Sequence, residues 1–178
     1  MHIRHAELSD IDVIVNMDHT YLTDHVWQMS GRDSNTEATS TFRLIRLPRL
    51  LQAPCTHEKA TLRRILHRCD LVWVAEGEGA RELIGYIGMM THPWQNSGSL
   101  PCMNVITEQR RKGVGTQLLR TAIAQAKNDG LQSLMMDVVT KNYPATRMCQ
   151  TRGFRFAGYA DNYYQGRDIA LFFTYKIR

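Results

Sequence analysis

The chain has 178 residues, 43% of them hydrophobic and 22% charged, with 22 Lys+Arg against 17 Asp+Glu and a formal net charge of +5. That apolar fraction fills a sizeable core, so a disordered chain is excluded and one domain spanning residues 1–178 is expected. The isoelectric point near 9.2 admits an anionic ligand or a nucleic acid, but the basic residues are scattered and form no dense tail.

The N-terminus, Met1 to Glu7, lacks the apolar core of a signal peptide, and no stretch approaches the roughly 20 apolar residues of a membrane helix. Ile3 and His5 alternate with Arg4 and Ala6 as in a short strand. Ser9-Asp10 offers an N-cap to a helix that presents Ile11, Val13, Ile14, Met17 and Tyr21 at helical spacing. From Gly31 to His57 polar turn residues surround Phe42-Arg43-Leu44-Ile45-Arg46-Leu47 and Pro48, and the segment reads as irregular. A helix follows over about Thr56 to Cys69, with Ala60, Leu62, Ile65 and Leu66 on one side. Leu71–Ala75 and Leu83–Met90 are apolar runs joined by the turn Glu76-Gly77-Glu78-Gly79-Ala80, a hairpin pattern. A further strand is expected over Ser99–Ile106, beyond the polar loop Pro93–Gly98.

Next comes a basic, glycine-bearing turn, then a helix from about Gly113 to Asn128 with Leu118, Leu119, Ala122, Ile123 and Ala126 in one stripe, stopped by Asp129-Gly130. A strand over Leu134–Val139, a short helix from Pro144 to Thr151, and two strands within Gly158–Lys176 joined through Gln165-Gly166 complete the chain. The order β-α-α-β-β-β-α-β-α-β-β is that of an α/β fold on a mixed sheet.

The segment Val105 to Thr116 carries the chemistry. A strand ends, Arg110, Arg111 and Lys112 follow, and Gly113 and Gly115 open a helix. Glycines allow close backbone approach, and the first-turn N–H groups of a helix point outward unpaired. With the helix dipole they suit a phosphate or pyrophosphate, although the same pattern also serves as a tight strand-to-helix turn. The sequence fits neither the nucleotide-triphosphate nor the dinucleotide glycine motif.

Arg110-Arg111-Lys112-Gly113-Val114-Gly115 resembles the R-x-x-G-x-G/A turn of the GCN5-related N-acetyltransferases (GNAT). The likeness extends to Val105 at a strand end and to Leu118-Leu119 on the following helix. It continues through Asn142-Tyr143-Pro144-Ala145 with Gly153-Phe154, through Val74-Ala75-Glu76 with Leu83–Tyr86, and through Ile3–Ala6 with Asp10. It is weakest from about Thr20 to Arg68.

The resemblance implies a GNAT-like mixed central β-sheet flanked by α-helices. The family's fourth and fifth strands, here the strand ending at Val105 and Leu134–Val139, splay apart to hold acetyl-CoA as co-substrate. It places pantetheine along Val105 and Thr107, and the pyrophosphate on the amides from Arg111 through Lys112, Gly113, Val114 and Gly115 to Thr116, with Arg110 at the rim. The implied reaction is attack by a small-molecule or peptide amine on the thioester, without an acyl-enzyme. It needs a deprotonated amine, an oxyanion donor and an acid for the thiolate.

After N-x-x-A the family usually places a tyrosine acid where this chain has Cys149, preceded by Thr146-Arg147-Met148. Cys149 is either that acid, with an unperturbed pKa near 8.5, or a packing residue. Tyr143, Tyr163 and Tyr164 are substitutes. Asp137, a charge inside an apolar strand, is a base candidate or an ion-pair partner of Lys141; Glu108 reads as solvated, and Asn104 and Cys102 can only position water. Asn142 is a ligand contact or a helix cap. Asp18, Asp24, Asp33 and Glu37 could face a cationic amine, with solvated surface acids as the plain alternative. The histidines show no metal spacing, and the four cysteines include no CxxC pair, so no metal and a reduced, cytoplasmic setting are expected. A homodimer is compatible with the sequence. The tail from Gly158 to Phe173 resembles both enzymes that acetylate protein N-termini and enzymes that acetylate streptothricin-type antibiotics. A nucleic-acid binder and a coenzyme A-binding module without catalysis are the competing classes.

Overall fold

The computed structural model describes residues 1–54, 56–78 and 82–177. Gly79 and Ala80 of the predicted hairpin turn, and Cys55, lie outside the described residues. The elements in order are β1 (His2–His5), α1 (Leu8–Asn16), β2 (Tyr21–Asp33), β3 (Ala38–Ala53), α2 (Lys59–Arg68), β4 (Leu71–Glu76), β5 (Leu83–His92), β6 (Ser97–Val105), α3 (Val114–Asn128), β7 (Ser133–Val139), α4 (Tyr143–Thr151), β8 (Arg155–Ala160) and β9 (Ala170–Lys176). One sheet runs β1-β4-β5-β6-β7-β9-β8, with β2-β3 forming a separate pair. Every neighbouring pair of strands is antiparallel except β6 and β7, so the mixed α/β architecture is as the sequence implies.

Strand alternation sends neighbouring side chains to opposite faces. Trp73 joins Leu118, Leu119, Ala122, Leu134, Met136 and Phe154 in the core under α3 and α4. The next residue, Val74, joins Ile11, Ile14, Leu62, Leu66 and Tyr86 under α1 and α2. No helix among the described residues is long and apolar enough to cross a membrane.

Three sequence expectations change. The first helix starts at Glu7, not Ser9-Asp10: the Glu7 carboxylate accepts from the N3 amide, while Asp10 Oδ2 accepts from the Glu7 N–H at 2.7 Å, a reciprocal capping box. That helix ends at Asn16, and Tyr21, predicted on its apolar stripe, opens β2. The segment from Gly31 to His57, predicted irregular, is largely β3, which with β2 makes a ribbon turned at Ser34–Glu37. Register jumps from His25↔Arg46 to Thr23↔Leu51, leaving residues 47–50 in a bulge that accommodates Pro48, which has no N–H to donate. The ribbon buries little beyond Thr23 and Ala53, so it lacks the apolar alternation of a half-buried strand. Trp27 docks it: its backbone N–H donates to Thr140 O at 3.0 Å and its Nε1 to Thr146 Oγ1 at 3.2 Å. Helix α2 is also shorter than expected, and Ala60 is exposed.

Candidate active site

The parallel strands β6 and β7 pair at Ser97↔Ser133, Gly98↔Leu134 and Ser99↔Met135, and no further. Beyond that, Cys102–Val105 stays with β5 and Met136–Val139 stays with β9, so a gap opens in the middle of the sheet. The first turn of α3 settles against this gap at Gly115, where an added side chain would need only the end of Met103 to shift. A Cβ there would stand 3.0 Å from Met103 Cε, 3.6 Å from Val105 Cγ2 and 3.8 Å from Met148 Sδ.

The turn between β6 and α3 begins as a 3-10 turn over Thr107–Gln109 and then takes left-handed φ values of 65° at Arg111 and 90° at Gly113. Gly113 caps α3 with no side-chain hydrogen bond, and a helix start leaves its first N–H groups without helical acceptors. The amides of Val114, Gly115 and Thr116 therefore present a partial positive charge beside exposed Arg111 and Lys112. Arg110 turns toward β6. Its Nε donates to Val105 O at 2.8 Å and its Nη2 reaches Asn104 Oδ1 at 3.5 Å, so it braces the turn against β6. It also occupies the Val105 carbonyl, one of the predicted pantetheine contacts.

Asp137 lies on the separated half of β7. Its neighbours Met136 and Val138 point into the α3/α4 core, so Asp137 faces the opposite side. Tyr164 Oη donates to Asp137 Oδ2 at 2.9 Å. Burial pushes the Asp137 carboxyl above the usual carboxylate range, against the Tyr164 hydroxyl and His57, which act to lower it. Burial also raises the Tyr164 hydroxyl and lowers His57, whose ring meets Tyr164 edge-on at 5.8 Å between centroids. A cleft of about 290 Å³ opens beside them, lined in part by Tyr21, His57, Glu58, Tyr164 and Asp168. Lys141 pairs with Asp168 at 2.6 Å rather than with Asp137, which corrects the ion-pair alternative. A second cavity of about 410 Å³ lies under the ribbon between Trp27, Ile45, Leu51 and Thr140.

The other sequence candidates fall elsewhere. Cys149 is fully buried with its Sγ 3.8 Å from Met136 Sδ, and burial pushes its thiol up to about 12. Burial and this contact are what a packing residue has. Asn142 caps α4 by accepting from the Ala145 N–H at 3.1 Å, the plainer of its two readings. The Tyr143 ring meets that of His25 at a tilt, with 4.8 Å between centroids, and Tyr163 is half exposed. Glu108 is exposed, and Asn104 Nδ2 donates to Asp18 O at 2.9 Å. Asp18 is held by the Thr20 amide and hydroxyl, Asp24 by His25, and Asp33 and Glu37 sit at the exposed ribbon tip. None of these four carboxylates lines the cleft. Sequence reasoning passed over His57 and over the His19–Tyr86 contact at 3.0 Å. Neither carries a local motif, because each pair is assembled from segments far apart in the chain.

A model of the acetyltransferase (GNAT) family matches residues 38–154. Over 85 residues the chain is 29% identical to streptothricin acetyltransferase of Streptomyces lavendulae, covering 48% of this chain and 45% of that protein. The match thus spans a little less than half the length of that curated relative. A nourseothricin acetyltransferase crystal structure superposes with a TM-score of 0.84 at 21% identity, covering 99% of this chain and 98% of the other. A Bacillus anthracis protein described as a streptothricin acetyltransferase, in complex with acetyl coenzyme A, gives 0.77 at 19% identity with 99% and 98% covered. At these identities the two structures establish the shared fold.

Proposed function

The chain belongs to the acetyltransferase (GNAT) family, and we propose that it transfers the acetyl group of acetyl-coenzyme A to a primary amine of a streptothricin-type antibiotic. The carrying observation is the interrupted pairing of β6 and β7, with the amide turn of α3 at one end of the gap and the Asp137–Tyr164 pair on its other face. The antibiotic assignment is supported by the streptothricin and nourseothricin acetyltransferases that the chain is similar to. Residues 1–178 act as one domain in this reading, in the cytoplasm that the cysteine usage suggests.

Each residue has a physical task. The amides of Val114 to Thr116, with Arg111 and Lys112, hold the donor pyrophosphate, because an anion there meets unpaired N–H groups and the positive end of the helix dipole. The open edges of β6 and β7 offer backbone groups to the pantetheine arm. Asp137 takes the proton of the incoming ammonium; its raised affinity for protons makes it a stronger base than an ordinary carboxylate, and Tyr164 fixes its orientation. The uncharged amine then attacks the thioester carbonyl, and the thiolate leaves with a proton from solvent, since buried Cys149 has no route to it. The acceptor cleft carries Glu58 and the Lys141–Asp168 ion pair near its aromatic residues, a lining with one more acid than base that favours a cationic amine.

The test is free-thiol release from acetyl-coenzyme A with streptothricin, with peptide N-termini and with simple diamines, followed by mass analysis of the product. Acetylated streptothricin as the preferred product supports the proposal. Preferred acetylation of peptide N-termini would move the assignment to the other branch. Donor binding without amine-dependent thiol release with any acceptor would favour the non-catalytic module.

A further inference from the structure

Cys69 and Cys102 meet over Gly88. Gly88 lies on β5 between Val72 of β4 and Cys102 of β6, in register with both. A Cβ on Gly88 would stand 2.7 Å from Cys69 Sγ and 2.8 Å from Cys102 Sγ, closer than real Cβ contacts allow. The missing side chain is what lets both sulfurs occupy one pit under α2. Cys69 is the C-cap of α2, fixed by its N–H to Ile65 O at 3.1 Å and Leu66 O at 3.2 Å, and is half-buried. Cys102 is buried at 7% exposure.

We propose that Cys69 and Cys102 form a reversible oxidation site, closing an intramolecular disulfide when a hydroperoxide reaches the half-buried Cys69. In the first step the Cys69 thiolate takes the terminal peroxide oxygen, giving a sulfenic acid while hydroxide or alkoxide departs. Cys102 sulfur then attacks Cys69 sulfur, the S–S bond forms, and the sulfenic oxygen leaves as water with the Cys102 proton. Two thiols lose two electrons and the peroxide gains them. The order of steps follows from exposure and is favoured by the hydrogen bond between the thiols. That bond, ahead of burial, raises the Cys102 thiol well above its ordinary range, so Cys102 holds its proton until the second step. The bond would tether the end of α2, whose other end borders the cleft at His57 and Glu58, to the strand that leads into the glycine turn.

The experiment treats the reduced full chain with hydrogen peroxide, alkylates the remaining thiols and maps peptides by mass spectrometry. Expected are a Cys69–Cys102 linked peptide, loss of two of the four alkylatable thiols, reversal by dithiothreitol, and a Tm higher by on the order of 5–10 °C. Gly88→Ala drives a methyl between the sulfurs and should slow linkage by about tenfold or more, because a disulfide tolerates little change in geometry. In Cys69→Ser, Cys102 should stay reduced, since the oxidant meets Cys69 first. The proposal is overturned if Cys69 passes to sulfinic acid while Cys102 remains free, if Gly88→Ala links at the wild-type rate, or if Cys102 oxidises equally well in Cys69→Ser.

Discussion

The Arg110 Nε donates to the carbonyl oxygen of Val105 over 2.8 Å, which ties the first arginine of the glycine turn to the end of β6. Arg110→Ala should loosen the turn and weaken acetyl-coenzyme A binding by roughly 1 kcal/mol, the scale of a hydrogen bond from a charged group discounted for partial exposure. Its salt dependence should match the wild type. Lys112 is exposed, so Lys112→Ala should lower affinity by less at physiological salt and flatten the salt dependence. Calorimetry at two ionic strengths separates the two behaviours. Equal flattening in both variants would return Arg110 to the rim.

Gly113 and Gly115 are small for different reasons, and their variants should differ accordingly. Gly113 has φ 90° and nothing within 4 Å of an added Cβ. Gly113→Asp should therefore fold with a modest loss, about 1 kcal/mol for the left-handed backbone, while its carboxylate repels the pyrophosphate and lowers donor affinity at least about tenfold. Gly115→Asp would set a carboxylate beside the Met103 and Met148 side chains, so thermal unfolding should report a desolvation loss in addition to weaker donor binding. Near-native donor affinity in folded Gly113→Asp would rule out the amide cradle.

The Asp137 carboxyl sits above the usual carboxylate range, chiefly through burial. Catalysis needs the ionised form, so kcat should rise with pH through that elevated value, and Asp137→Asn should remove the acidic limb with a loss on the order of 10²-fold. Tyr164→Phe should keep most of the rate and shift the limb upward, because the lost hydroxyl lowered the pKa. Stability runs the other way. A raised folded pKa means the native state holds its proton longer, so Asp137 contributes most at low pH, and that contribution is lost as pH rises through the folded pKa. Asp137→Asn should equal or exceed the wild-type Tm at neutral pH and lose that advantage in acid. An unchanged acidic limb in the Asn variant would remove Asp137 from the chemistry.

Cys149 should prove silent in kinetics. With the thiol buried against Met136 and pushed up to about 12, Cys149→Ala should retain its rate and any basic limb of the pH profile. The cavity should cost about 1 kcal/mol, read as a Tm lower by a few degrees. Cys149→Tyr should overpack the site and unfold more readily, not restore a proton donor.

The donor side was legible in the sequence because its parts are contiguous. Val105, the basic turn, Gly113, Gly115 and the Leu118-Leu119 stripe follow one another within a single strand–turn–helix unit, and the structure keeps them in that order. The proposed acceptor side was not, because the cleft draws Tyr21 from β2, His57 from before α2, and Tyr164 and Asp168 from the β8–β9 connection. Asp137 stood out as a charge in an apolar strand, yet its partner Tyr164 is 27 residues away. The ribbon escaped notice for a related reason. Its strands pair with each other and bury almost nothing, so the amphipathic pattern that marks strands in a core is missing. Cys149 left two readings open in the sequence, because its burial depends on α4 and β7 packing that a local motif does not show.

The early end of pairing between β6 and β7 leaves the protein with a sheet edge in its interior. Amides of Cys102 to Val105 that face the gap have no strand to bond and are open to exchange, whereas their alternates remain bonded to β5. Deuterium uptake along β6 should therefore be two-speed, alternating residue by residue. A ligand lying in the gap would act as a missing strand, slowing only the fast set and raising the unfolding temperature in proportion to the logarithm of its concentration.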